Sequence, residues 1–205
     1  VTVAESPFRV LFVCTGNICR SPQAERLLVA ELARRGLGDA TEVSSAGVAA
    51  LVGNPMDPQA AAHTIGHGGN PGDHSARQVD ASMIDAADLV LTMERTHRAA
   101  VVRMVPRASR YAFTLPEFVR LAVDLRDSGE AGQVGKSFGV PERMRWLVPE
   151  VAAQRGVSLP TAPEHDEVED PYRRSEETYR RSAARVAAAV SALVEVIVDL
   201  GEIYR

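Results

Sequence analysis

Val10-Leu11-Phe12-Val13-Cys14-Thr15-Gly16-Asn17-Ile18-Cys19-Arg20-Ser21-Pro22 is the stretch on which the rest of the chain turns. Its first four residues form an apolar, β-branched run that reads as a buried strand. Ser21-Pro22 opens a helix, with a capping hydroxyl and a proline suited to a first turn. Ala24, Leu27, Leu28 and Leu32 continue it at helical spacing until Gly36 provides a stop. The loop between strand and helix poses an electrostatic problem. A cysteine at a strand end is an ordinary small apolar filler, and Gly16-Asn17 is an ordinary turn pair. Neither accounts for Arg20, a cation at a helix mouth where backbone N–H groups already supply positive potential. An anion held between them resolves the conflict. A loop wrapped around a tetrahedral oxyanion points its N–H groups inward, and a guanidinium grips two oxygens with its planar fork. Five residues separate Cys14 from Arg20, enough for one turn around a phosphate. The same field favours the Cys14 thiolate, and a nucleophile beneath a cradled phosphoryl group makes a covalent phosphoryl-transfer site.

Outward from this stretch, Thr41–Ser45, Leu89–Leu91 and Arg110–Thr114 are further strand candidates. Asp57-Pro58 starts a short Ala-rich helix ending near Gly66, and 66–72 is a loop. Glu94 to Val105 is helical up to Pro106. Val186, Val190, Leu193, Ile197 and Leu200 form one stripe of a long amphipathic helix. Strands alternating with helices predict a doubly wound, four-stranded parallel sheet with helices on both faces. In such sheets the ligand sits at the carboxyl end of a strand, here the first. The 205 residues suit one domain spanning 1–205. The stretch of about 121–169 breaks the rhythm and reads as a loop insertion. Gly129, Gly132, Gly135 and Gly139 loosen its first half, and Met144, Leu147, Val148 and Val151 mark a helix in its second. Ending just before Asp170, it is expected beside the mouth of the site.

Composition narrows the function classes. The formal charge is -4, and no basic block is present. This argues against nucleic acid or an anionic membrane as partner. No apolar run approaches the roughly 18 residues of a membrane span, and Val1–Arg9 lacks a secretory leader pattern. Two cysteines cannot build a disulfide scaffold, which points to a reducing, cytoplasmic setting. The nucleotide-hydrolysing signature Gly-x4-Gly-Lys-Ser/Thr is absent. His63 and His67 lie four apart without a carboxylate or thiol at zinc-site spacing, so no metal is expected, and the chemistry calls for no cofactor. His97 and His165 carry no readable signal.

With Cys-x5-Arg-Ser at its core, Val10 to Glu25 resembles the low-molecular-weight protein-tyrosine phosphatases. The resemblance continues through Ser44-Ser45-Ala46-Gly47, Gly53-Asn54-Pro55-Met56-Asp57-Pro58, His74-Ser75-Ala76-Arg77-Gln78 and Asp170-Pro171-Tyr172. It implies hydrolysis of phosphomonoesters, foremost protein phosphotyrosine, through a cysteinyl-phosphate. Cys14 would attack phosphorus, Arg20 would stabilise the equatorial oxygens, and Asp170 would protonate the leaving group and later activate water. Thr15, Gly16, Asn17, Ile18, Cys19 and Ser21 would cradle a phosphate or other oxyanion, and Tyr172 would wall the substrate. Ser21 would also donate to the thiolate. Ser45 and His74 would brace Asn17 from behind. Glu164, Asp166, Glu167 and Glu169 read as a solvated acidic face rather than catalysts. The resemblance further implies a reversible Cys14–Cys19 disulfide, against the plainer reading of Cys19 as packing.

The chain departs from the family pattern in places. Val48-Ala49-Ala50-Leu51 holds no aromatic where a phenyl slot is usually lined, and Arg173 follows Tyr172. The slot is therefore expected to be wider, with small phosphomonoesters as further substrates. Protein-arginine phosphatases of the wider family carry Thr where this chain has Ile18, which favours tyrosine. Thioredoxin-coupled arsenate reductases need two further cysteines, and only Cys19 remains.

Overall fold

Val10–Val13 lies inside strand β1 (Phe8–Cys14) in the computed structural model, which describes residues 6–128 and 139–202. β1 pairs in parallel with β2 (Thr41–Gly47) and β3 (Leu89–Thr92), and β3 with β4 (Ala112–Thr114). The order is β2-β1-β3-β4. A strand covered on both faces must be apolar on both, which is why the run is continuous rather than alternating. Val10 and Phe12 point into the larger core cluster, Leu11 and Val13 into the smaller. The helices in chain order are α1 (Arg20–Arg34), α2 (Pro58–Gly66), α3 (Ala81–Ala86), α4 (Arg95–Met104), α5 (Leu115–Ser128), α6 (Val140–Ala153) and α7 (Glu176–Glu202). α1, α5, α6 and α7 supply the larger core, while α3 and α4 cover the other face. The expected doubly wound parallel sheet, helices on both faces, is the architecture present.

Several local expectations shift. Ser21 does not cap α1: the helix begins at Arg20, its cap is Cys19, and no side chain bonds there. The hydroxyl of Ser21 is turned instead toward Cys14. Asp57 does cap α2, accepting from the N–H groups of Gln59 and Ala60 at 3.0 and 3.2 Å. The fourth strand is shortened to Ala112–Thr114, because Pro106–Arg110 forms a 3-10 turn. α3, one and a half turns capped by Asp80, is too short to leave a hydrophobic period.

The stretch after Leu121 is helical where described, and it packs into the core rather than looping over it. Leu121, Leu125, Met144, Leu147, Val148 and Val151 are all buried in the larger cluster. Nor does α6 stand beside the mouth of the first-strand loop. Arg145 donates to the carbonyls of Ser6 and Pro7, each at 3.0 Å, at the amino end of β1. Arg155, just after α6, lies 3.7 Å over the ring of Phe113, donates to the Ser109 carbonyl ahead of β4 at 2.7 Å, and pairs with Glu117 in the first turn of α5 at 3.1 Å. The cause is topological. α5 starts at the carboxyl end of β4 and carries the chain down to the opposite pole. Gly129, Gly132, Gly135, Val1–Glu5 and the side chain of Leu200 lie outside the described residues.

The return path brings Asp170 to the top of the sheet. Val168 is wholly buried, and its N–H bonds the Met93 carbonyl at 2.8 Å just beyond β3. Ser182 of α7 donates to the Glu169 carbonyl at 2.9 Å. The acidic stretch is less solvated than its composition suggests. Asp166 is buried and takes both prongs of Arg120, at 3.0 and 2.9 Å. Glu167 and Glu169 pair with Arg95 and Arg181 at the surface.

Candidate active site

The loop from Cys14 to Arg20 is shaped by what holds its carbonyls. Those of Cys14, Thr15 and Gly16 accept from the N–H groups of Val48, Ala49 and Leu51 at 2.9, 3.0 and 3.0 Å. The Ile18 carbonyl accepts from Asp57 N–H at 2.8 Å, and the Asn17 carbonyl accepts from His74 Nε2 at 2.7 Å. With the carbonyls drawn outward, the amides face the other way. Among the described residues, no N–H from Thr15 to Cys19 donates to a protein acceptor. Such a ring of amides is an anion-binding nest, and the α1 N-terminus adds its dipole.

Asn17 makes the turn possible at φ 55, in the left-handed region that Asn tolerates. Its Nδ2 donates to Ser21 Oγ at 3.0 Å and Ser45 Oγ at 2.8 Å, and its Oδ1 accepts from Arg77 N–H at 2.9 Å. Ser45 and His74 thus both reach Asn17. Gly47 is required by the close approach of this loop to β2. A Cβ there would stand 2.4 Å from the Thr15 carbonyl oxygen and 3.0 Å from the Asn17 nitrogen. Gly47→Ala is therefore expected to destabilise the fold by about 1–3 kcal/mol, the cost of overpacking. Urea unfolding checks this, and an unchanged midpoint would show that the loop yields freely.

The sulfur of Cys14 is buried and lies 3.0 Å from Ser21 Oγ. With Asn17 donating to that hydroxyl, its own proton is free to point at the sulfur; the Ala46 carbonyl, at 3.3 Å, is the weaker acceptor. Arg20 is 2% exposed. Its Nη1 donates to the Glu94 carboxylate and, at 2.9 Å, to the Val168 carbonyl, while Nη2 stands 3.0 Å from Asp170 Oδ2. Its Nε is buried with no partner among the described residues. A buried guanidinium donor left open is costly unless an acceptor comes to it. Burial pushes the Glu94 carboxyl up, but the hydrogen bond and charge of Arg20 outweigh this and hold it below the usual carboxylate value.

Asp170 also turns the chain after it, accepting from Tyr172 N–H at 3.2 Å. The hollow above Cys14 is lined by Thr15, Gly16, Ile18, Cys19, Arg20, Ala49, Leu51, Asp170 and Tyr172. Leu51, aliphatic where an aromatic was expected, and Tyr172 both line this hollow. Cys19 and Cys14 are both free thiols. Cys19 packs with Met56, Ala60, Ala76 and Tyr179, and burial, followed by the Asp57 charge, pushes its thiol far up. Among the described residues, His, Cys, Asp and Glu form no group of three suited to a metal ion.

Glu94 and His97 were not legible as site residues. His97 is buried, with Nε2 2.8 Å from Thr15 Oγ1. The available signal was positional: both follow β3, the strand beside β1, at the carboxyl edge where open α/β sheets bind ligands.

A thiol beneath a ring of open amides, near an arginine and at the first βα turn of a parallel sheet, is the arrangement of an α/β enzyme with cysteine chemistry. The chain belongs to the low molecular weight phosphotyrosine protein phosphatase family, whose sequence profile matches residues 9–133. That match ends before Asp170 and Tyr172. Low molecular weight protein-tyrosine phosphatase A of Mycobacterium tuberculosis is 42% identical over 125 residues, which covers 54% of this chain and 76% of that protein. The crystal structure of the low molecular weight protein tyrosine phosphatase from T. tengcongensis superposes with a TM-score of 0.63 at 30% identity, covering 92% of this chain and 98% of that one. The YwlE arginine phosphatase from Geobacillus stearothermophilus superposes with a TM-score of 0.62 at 28% identity, covering 92% of both chains. No helix among the described residues is long and apolar enough to cross a membrane.

Proposed function

We propose that this chain is a protein-tyrosine phosphatase in which Cys14 is the nucleophile, Arg20 with the loop amides the oxyanion clamp, and Asp170 the general acid. Family membership already makes it a phosphomonoester hydrolase with cysteine chemistry. The observation that carries the assignment of roles is the pinning of the Cys14–Ile18 carbonyls, which leaves the amides open around one sulfur. In the first step the Cys14 thiolate attacks phosphorus, the S–P bond forms as the P–O bond to the leaving group breaks, and Asp170 gives that oxygen a proton. In the second, Asp170 takes a proton from water as its oxygen attacks phosphorus, and the thiolate leaves. The negative charge of the equatorial oxygens is met by the amides and by Arg20 Nε, donors already in place before reaction. Ser21 Oγ stabilises the thiolate as attacking and as leaving group.

Asp170 is suited to this role by position. Its carboxylate stands at the open rim, 3.0 Å from Arg20 and next to Tyr172, so it approaches the leaving group rather than the cradled oxygens. Asp170→Ala is expected to slow hydrolysis of phenyl phosphate by about 10²–10⁴-fold. It should slow para-nitrophenyl phosphate less, because that leaving group needs little protonation. Equal losses with both substrates would remove Asp170 from proton transfer.

The likeness to an arginine phosphatase supports a second reading, phosphoarginine as substrate. Ile18 argues against it, because an apolar side chain in the hollow offers no hydroxyl to place water for a phosphoguanidinium. Arsenate reduction lacks its relay thiols, since Cys19 alone accompanies Cys14. Initial rates on a phosphotyrosine peptide and on free phosphoarginine decide between the two. The tyrosine reading expects the peptide to be preferred at least tenfold in kcat/KM, and the opposite order would overturn it.

A further inference from the structure

The first turn of α4 touches both ends of the phosphate loop. Glu94, its N-terminal cap, holds Arg20 at the end of the loop. His97 lies one turn further on, 3% exposed, and its Nε2 meets the hydroxyl of Thr15, the residue next to Cys14. Thr15 is itself exposed, yet it is held from two sides. Its carbonyl is tied to Ala49 on the β2 side of β1, and its hydroxyl is tied to His97 on the β3 side. Remove the second tie and the residue after the nucleophile is anchored from one side only, so the amides that follow lose their aim.

We propose that uncharged His97 is a positioning residue: with Glu94 it makes the first turn of α4 a clamp that fixes Thr15 and Arg20 relative to each other, and its protonation opens the clamp. The proposal rests on the phosphatase reading of the same site. The second ring nitrogen carries the argument. Nδ1 is buried with no partner among the described residues. In a neutral imidazole one nitrogen serves Thr15 as donor or acceptor, and the tautomer can leave Nδ1 as a bare lone pair. In the imidazolium both nitrogens carry protons, so a buried N–H would stand at Nδ1 without an acceptor. The new cation would also sit near Arg20 and compete with it for Glu94.

The charged groups facing His97 are Glu94 on its own turn, Arg20 of α1, and Glu167 and Asp170 of the segment that crosses above. Burial is the strongest influence and favours the neutral ring. Glu94 opposes it, Arg20 adds to it, and Asp170 and Glu167 oppose it more weakly. The net direction is downward from 6.5, so the clamp is closed at neutral pH and opens as the pH falls through the lowered value.

The test is a double-mutant cycle read with para-nitrophenyl phosphate across the acid limb of the pH–rate profile, using wild type, His97→Ala, His97→Gln, Thr15→Val and the His97→Ala/Thr15→Val pair. One hydrogen bond is at stake, so each of His97→Ala and Thr15→Val should lower kcat/KM by about tenfold. The pair should lose no more than either single variant, because both break the same link. His97→Gln, whose amide can meet the Thr15 hydroxyl but does not titrate, should recover most of the rate and move the acid limb to lower pH. Losses that add, an acid limb unmoved in His97→Gln, or wild-type rates in Thr15→Val would overturn the proposal. Thr15 is exposed, so its substitution probes the link without disturbing the core. Active wild type with unmoved variants defeats the clamp alone. A wild type that hydrolyses no phosphomonoester defeats the phosphatase reading and the clamp with it.

Discussion

Cys14→Ser leaves a folded protein that still binds inorganic phosphate but hydrolyses phosphomonoesters slower by about 10⁴-fold or more, the scale seen when a covalent nucleophile is removed. The change is nearly isosteric, and the carbonyls that shape the loop are held by backbone donors and by His74, none of which it touches. What disappears is an ionisable sulfur. A sulfur is a far better nucleophile toward phosphorus than an alcohol oxygen, and a better leaving group in the second step. The neighbouring Ser21 hydroxyl, 3.0 Å away, would then merely share a proton with another hydroxyl. Steady-state rates on para-nitrophenyl phosphate and phosphate binding by calorimetry check both halves. Cys19→Ser is the control. Cys19 packs among Met56, Ala60, Ala76 and Tyr179, and its thiol is held neutral by burial, so most of the activity should survive. Rapid-quench mass spectrometry should find phosphate on Cys14 and none on Cys19. A Cys14→Ser rate within tenfold of wild type would dismiss the covalent route.

What could be read from the sequence depended on whether a residue's neighbours in space are also its neighbours along the chain. Cys14, Arg20 and Asn17 were legible because strand, loop and helix are contiguous, and because a cation at a helix mouth violates local electrostatics unless something compensates it. The sheet was legible for a related reason: apolar runs report burial on two faces. Glu94 and His97 bond Arg20 and Thr15 of the same loop but reach them from beyond β3, and nothing local to Thr92-Met93-Glu94 sets this acid apart from one on a solvated helix cap. Ser21 shows the converse failure. Its identity and position beside Pro22 suit a helix cap, yet a tertiary partner, the Cys14 sulfur, takes the hydroxyl. The stretch of 121–169 misled for a third reason. Glycines before and acids after read as a loop insertion, whereas the apolar positions from Met144 to Val151 are buried in one core with α5 and α7, too distant in sequence to be paired by inspection. Asp166 was assigned to water because its neighbours are acidic, but Arg120 had to be known to be adjacent.

Arg20→Lys keeps the charge and tests whether charge alone suffices. In the structure the guanidinium divides its donors among Glu94, the Val168 carbonyl and Asp170, and still has Nε free for an oxyanion. An ammonium has three donors on one atom and no planar fork. It cannot meet Glu94, Asp170 and a phosphate oxygen in this geometry together. The expected loss in kcat is about 10²–10³-fold, the scale of a missing oxyanion donor, with phosphate affinity reduced as well. A rate within tenfold of wild type would mean that Arg20 contributes as a point charge only. Stability separates this catalytic loss from collapse of the site. Arg20→Ala leaves Glu94 without its counter-charge in a half-buried position, and should cost about 1–3 kcal/mol where Arg20→Lys costs less. The sign of the pH dependence follows from Glu94. Arg20 holds its folded-state carboxyl below the ordinary 4.5, so the pair stabilises the fold above that pH and the contribution is lost as the pH falls through the folded value. The stability gap between wild type and Arg20→Ala should therefore narrow in acid below 4.5. A gap that stays constant would show that Glu94 is not the partner through which Arg20 steadies the loop.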